Sequence, residues 1–135
     1  MATLFTKIIN RDIPASILYE DELCIAILDI APVNKGHALV ISRNEYPTTA
    51  TCPDQELQHL MSVAKRLDEK MRDALQADAT NIIINNGPAA GQEVPHLHIH
   101  IIPRYDGDNK KVIPTKEVYG EGELSVYAEK LSLSL

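Results

Sequence analysis

In Gly91-Gln92-Glu93-Val94-Pro95-His96-Leu97-His98-Ile99-His100-Ile101-Ile102, imidazoles alternate with aliphatic side chains. A period of two is that of a β-strand, and residues 94–102 are expected to form one. Side chains two apart point the same way, so His96, His98 and His100 form a row, while Leu97, Ile99 and Ile101 feed a core behind it. Buried imidazoles are costly unless each finds a hydrogen-bond partner, so such a row on an apolar strand points to chemistry.

Upstream, residues 86–92 form a Gly-Pro-containing loop, and residues 81–85 read as the strand before it. Before that, Leu57, Leu60, Met61, Ala64, Leu67, Met71 and Leu75 recur every three or four residues, with Lys65, Glu69, Lys70 and Asp73 between them. This predicts a long amphipathic helix that starts at Pro53, with Asp54 and Glu56 at the positive end of its dipole, and that covers a sheet. Residues 17–20 and 23–28 read as a hairpin, and residues 37–42 as a third strand. Leu4, Phe5, Ile8 and Ile9 have helical spacing up to the stop at Ile13-Pro14, and residues 124–131 form a last amphipathic stretch. The expected fold class is α+β: about five strands, mainly antiparallel, with one long helix and short terminal helices.

The chain has 135 residues, a normal size for one domain, and it shows no repeat or linker; a single domain over residues 1–135 is expected. Its core would span about residues 4–104, with a polar C-terminal extension over 105–135. A net charge of -6 disfavours a sequence-independent grip on nucleic acid, so no nucleic-acid partner is expected, although local donors still allow a small anion. Cys24 and Cys52 have neither disulfide-framework nor zinc spacing, and no segment has signal-peptide or transmembrane character. A cytoplasmic protein without membrane contact is therefore expected.

Two chemistries compete for the histidine row. Alternate strand histidines can hold a metal, with Asp29 and His37 as further ligands. However, a regular strand separates His96 and His100 by ~13 Å, too far for both to reach one ion with bonds of ~2 Å. Alternatively, imidazoles near their ordinary pKa serve a phosphate site, either as neutral nucleophile or as donor. Gly87 and Gly91 flank a loop able to bring backbone N–H groups to an anion, and Gln92 adds a side-chain donor.

Residues 91–102 resemble the signature of the histidine-triad family. Phe5-Thr6-Lys7-Ile8-Ile9 with Ile13-Pro14, Leu28-Asp29-Ile30 and Gly36-His37-Ala38-Leu39-Val40-Ile41 agree with it in order and spacing, so the resemblance runs from about Leu4 to Arg104. It implies a nucleotide hydrolase or transferase that cleaves purine nucleoside phosphoramidates or dinucleoside polyphosphates at the α-phosphorus, through a nucleotidyl-histidine, releasing a nucleoside monophosphate. It also implies a homodimer. His98 would be the nucleophile, His100 and His37 would contact phosphate, and His96 would steady the row. Asp29 would accept from ribose hydroxyls, with Asn85 and Gln92 positioning phosphate or leaving group. Glu93 and Val94 would adjoin the nucleotide, and Leu4, Phe5, Ile8, Ile27, Ile30 and Leu39 would line the base pocket. The alternative is a regulatory module that binds nucleotides without turnover.

The chain departs from the family pattern in two respects. Thr3, Thr6 and Glu45 stand where some members carry two cysteines and a histidine that bind zinc, so neither metal nor other cofactor is expected. Glu93 replaces the Ser of the phosphoramidase branch and the Thr of the dinucleoside polyphosphate branch, and an ionised carboxylate cannot donate a hydrogen bond. His59, on the long helix, reads as a surface or core-edge residue, and Cys24 as packing.

Overall fold

A computed structural model of the chain describes residues 2–111 and 114–134. Strands β1 (Ile17–Glu20), β2 (Cys24–Leu28), β3 (Ala38–Ser42), β4 (Ala79–Ile83) and β5 (His98–Arg104) form one antiparallel sheet in the order β1-β2-β3-β5-β4. Helices α1 (Leu4–Ile9) and α2 (Asp54–Ala74) cover its two faces, and α3 (Glu123–Leu131) lies in the tail. The expected α+β architecture is the one observed.

The pleat sorts the residues between two cores. Cys24, Ala26, Ala38, Val40, Ile99 and Ile101 face α2, where Leu60, Val63, Ala64 and Met71 are buried. Ile25, Ile27, Leu39 and Ile41 face the other way, against Phe5 and Ile8 of α1. Because β2 and β3 are covered on both faces, they read as continuous apolar runs. Pro53 is the N-cap of α2, and the buried stripe includes Val63 but leaves Met61 and Leu75 exposed. Met61 follows Leu60 by one residue, about 100° around the helix, and so leaves the contact face.

β5 starts at His98 instead of residue 94. Pro95 has no N–H for a ladder, and the His96 N–H bonds to the Val94 carbonyl at 2.8 Å in a tight turn. β5 also runs on to Arg104, which pairs with Ala79; β4 is accordingly displaced toward its N-terminus, and Asn85 falls beyond the ladder. Cys24 is fully buried, and burial pushes its thiol up to about 12. His59 is a core-edge residue whose Nε2 lies 2.5 Å from Asp21 Oδ2. In α3 no residue is buried.

Candidate active site

His98 and His100 pair with Ile41 and Leu39 across the β3–β5 ladder, on the face that meets α1. A cavity of about 450 Å³ opens there. Leu4, Phe5 and Ile8 of α1, Ile27 of β2 and Leu39 of β3 form apolar walls, and Ile30 stands at the rim, almost wholly exposed. Asp29, Asn85, Glu93, Val94, His98 and His100 also line it. Ile13, Pro14 and Ala15, which the periodicity of the sequence does not single out, complete the wall beside α1.

Hydrogen bonds assign a tautomer to each imidazole. The Nδ1 of His98 lies 2.7 Å from the His96 carbonyl oxygen, an acceptor, so Nδ1 carries the proton. Nε2 then holds a lone pair, and it has no partner among the described residues. The Phe5 ring meets His98 edge-on, with centroids 4.9 Å apart, fixing the plane of the imidazole.

A second chain of bonds ends at His100. The Val33 N–H donates to His37 Nδ1 at 3.1 Å, so in the neutral ring the proton of His37 sits on Nε2. That nitrogen is 3.0 Å from His100 Nδ1 and donates to it. The proton of His100 is thereby placed on Nε2, as a donor beside the lone pair of His98. Asp29 supports this arrangement: its Oδ2 is 3.7 Å from His37 Nε2, while its Oδ1 accepts the Ala31 N–H at 2.9 Å. His37 does not line the cavity, and acts on it through His100.

His96 is sealed off. It is fully buried, its Nε2 donates to the Ser42 carbonyl at 2.6 Å, and its Nδ1 accepts from the Thr3 hydroxyl at 2.7 Å. Thr3 Oγ1 in turn accepts the Thr6 N–H at 3.1 Å as the cap of α1, and the Thr6 hydroxyl donates to Glu45. The expected row of three is thus two rings on the strand plus a buried anchor before it. Thr3 is the contact sequence reasoning missed; its only local signal is the Thr-x-x-Thr capping spacing.

Gln92 also faces away from the cavity. Its Oε1 accepts the Gly87 N–H and its Nε2 donates to the Pro47 carbonyl, both at 2.7 Å, so the amide braces the loop instead of offering a free donor. Gly87 and Gly91, with φ of 102° and 95°, occupy backbone conformations that side chains strain.

Burial lowers the pKa of His37, His96 and His98 below the usual 6.5. His100 is pushed down to about 4 by burial and by its neighbours His98 and His37, partly offset by Asp29. Each shift favours the neutral imidazole, and the row presents one lone pair and one N–H side by side. Asp29, His37 and His100 also bring ligand atoms within 4.8 Å of one another, the one group at this site spaced for a cation among the described residues.

Residues 10–107 match the HIT domain. The chain belongs to the HIT family. Among HIT relatives, it is 49% identical over 109 residues to an uncharacterized HIT-like protein of Methanocaldococcus jannaschii, covering 81% of this chain and 84% of that one. It is 40% identical to an adenylylsulfatase of Arabidopsis thaliana, covering 78% of this chain but only 53% of the plant protein. With an adenosine 5′-monophosphoramidase of Saccharomyces cerevisiae the identity is 41%, over 78% of this chain and 64% of the yeast protein. The crystal structure of a HIT family member from Bacillus subtilis superposes with a TM-score of 0.85 at 35% identity, covering 99% of this chain and 100% of that one.

Proposed function

We propose that this HIT protein hydrolyses purine nucleoside 5′-phosphoryl compounds at the α-phosphorus, by way of a nucleotidyl group carried on His98. The observation that carries this reading is the 2.7 Å bond from His98 Nδ1 to the His96 carbonyl, which leaves Nε2 unprotonated beside the cavity. A neutral imidazole so held needs no separate base to attack.

The apolar slot between α1 and the sheet takes the base, Asp29 accepts from the ribose, and the His100 N–H donates to a phosphoryl oxygen. Nε2 attacks phosphorus and the leaving group departs with its bonding pair; a leaving nitrogen takes a proton from solvent. The His96 carbonyl stabilises the positive charge that develops on the His98 ring. Water then attacks the phosphorus, gives its proton to solvent and returns the electron pair to Nε2, releasing the nucleoside monophosphate. The adenylylsulfatase and monophosphoramidase relatives support this reaction class. A homodimer, as the family resemblance implies, and a cytoplasmic location are part of the same proposal. No helix among the described residues is long and apolar enough to cross a membrane.

Release of nucleoside monophosphate from a fluorogenic adenosine phosphoramidate tests the reading. Alkaline quench during turnover, followed by peptide mapping, is expected to find the nucleotidyl group on the fragment containing His98. Tight nucleotide binding without turnover would instead assign the protein to regulation.

A further inference from the structure

His100 has a second cavity on its other side. It measures about 430 Å³ and is lined by Val33, His37, Ile83, Asn85, His100, Ile102, Asn109, Lys110 and Lys111. It shares His100 and Asn85 with the nucleotide cavity, but not His98. Ile83 pairs with His100 across the β4–β5 ladder, so this cavity continues along the same sheet face toward the β4 edge.

The two cavities differ in charge. Among its described lining residues the nucleotide cavity has two carboxylates, Asp29 and Glu93, and no lysine or arginine. The second has Lys110 and Lys111 and no carboxylate. In a chain of net charge -6, this is a local reversal of sign beside the reacting centre.

The lysines are held there by a pinned turn. Arg104 grips Asp108 with both prongs, Nε to Oδ2 at 2.8 Å and Nη2 to Oδ1 at 2.9 Å. Asn34 Nδ2 donates to Asp108 Oδ2 at 3.0 Å and to the Pro103 carbonyl at 2.9 Å, tying the turn to the loop before His37. Asp108 Oδ1 accepts the Lys110 N–H at 2.9 Å, and Arg104 donates to the Lys110 carbonyl. Both backbone groups of Lys110 are therefore fixed to the end of β5, the strand that carries His100.

We propose that this basic cavity is the subsite for an anionic leaving group, a sulfate or phosphate joined to the α-phosphorus through a bridging oxygen. The inference rests on the proposed hydrolysis at His98. His98 Nε2 bonds to the α-phosphorus, the bond from phosphorus to the bridging oxygen breaks, and its electron pair leaves on that oxygen. Lys110 and Lys111 neutralise the charge that accumulates there, and the departing oxyanion needs no proton. An uncharged amine leaving group gains nothing from either lysine, so the pair tilts the enzyme toward anhydrides over phosphoramidates.

The test compares kcat/KM on adenosine 5′-phosphosulfate, adenosine diphosphate and adenosine 5′-phosphoramidate for the wild type, the K110A/K111A double variant and K110R/K111R. Two exposed charge contacts predict that the anhydride-to-phosphoramidate ratio falls about tenfold in K110A/K111A and is restored in K110R/K111R. Loss on only one anhydride assigns the subsite to that oxyanion. An unchanged ratio overturns the inference while leaving hydrolysis at His98 intact. If the wild type turns over none of the three, the proposed hydrolysis fails, and the subsite is read from binding alone. In that measurement, titration of H98A with the phosphosulfate and with adenosine monophosphate must show a preference for the former that K110A/K111A removes; equal preference with and without the lysines overturns the inference.

Discussion

The carbonyl oxygen of His96 accepts the Nδ1 proton of His98 at 2.7 Å, so one triad member sets the tautomer of the next through its backbone while its own ring is turned into the core. His96 thereby orients the His98 ring without lining the cavity itself.

Replacing His98 by Ala is expected to lower kcat by at least ~10³-fold while nucleotide affinity changes little, because the apolar walls, Asp29 and His100 remain. Isothermal titration alongside steady-state kinetics separates the two effects. Wild-type kcat in H98A would rule out nucleophilic catalysis by this ring.

Stability is expected to fall as the pH drops from 6.5 toward about 4. His37, His96, His98 and His100 all have folded pKa values below the unfolded 6.5, the last at about 4. Over that window the unfolded chain binds more protons than the folded one, so the stability present above pH 6.5 is lost on acidification through it. Asp21 and Asp108 are also held low, but their unfolded value of 3.8 puts their loss at still lower pH. Urea melts at pH 7.5, 6 and 5 would show a falling midpoint; a flat or rising one contradicts burial of neutral rings.

Thr3→Val removes the hydroxyl that donates to His96 Nδ1 and caps α1. Leaving one buried acceptor and one helix N–H unpaired predicts a loss of ~1–3 kcal/mol, measurable by denaturant unfolding. Since α1 also carries Phe5 against His98, KM for the nucleotide should rise. Wild-type stability in the variant would show that water replaces the hydroxyl.

Glu93→Ser is expected to change the relative rates on phosphoramidate and dinucleoside polyphosphate more than it changes the unfolding midpoint. Glu93 lines the cavity beside His98 and His100, where a hydroxyl can donate and an ionised carboxylate only accepts. Identical kinetics on both substrates would show that this side chain takes no part.

Much of this molecule can be read from the order of its residues. Period-two alternation at Leu97, His98, Ile99, His100 and Ile101 places the imidazoles on one face of a strand and the aliphatics on the other, whatever the partner strand. The stripe through Leu60, Ala64, Leu67 and Met71 specifies the covering helix in the same local way. Those patterns rest on backbone geometry that repeats along the chain, and they carried the fold class; the choice of His98 within the row came from the resemblance to the histidine-triad family.

Contacts between residues far apart in the chain lay beyond that reading. Nothing local in His96 distinguishes it from His98; the Ser42 carbonyl and the Thr3 hydroxyl, 54 and 93 residues away, turn it into a structural anchor. Gln92 looks like a phosphate donor until Gly87 and Pro47 occupy its amide. The proton positions on His37 and His100 depend on the Val33 N–H, and the tail that brings Lys110 and Lys111 into one cavity with His100 is tied down where Arg104, Asn34 and Asp108 meet. Periodicity determines which way a side chain points, but a tautomer, a sealed ring or a local charge is decided by the atoms the tertiary fold brings within hydrogen-bond range.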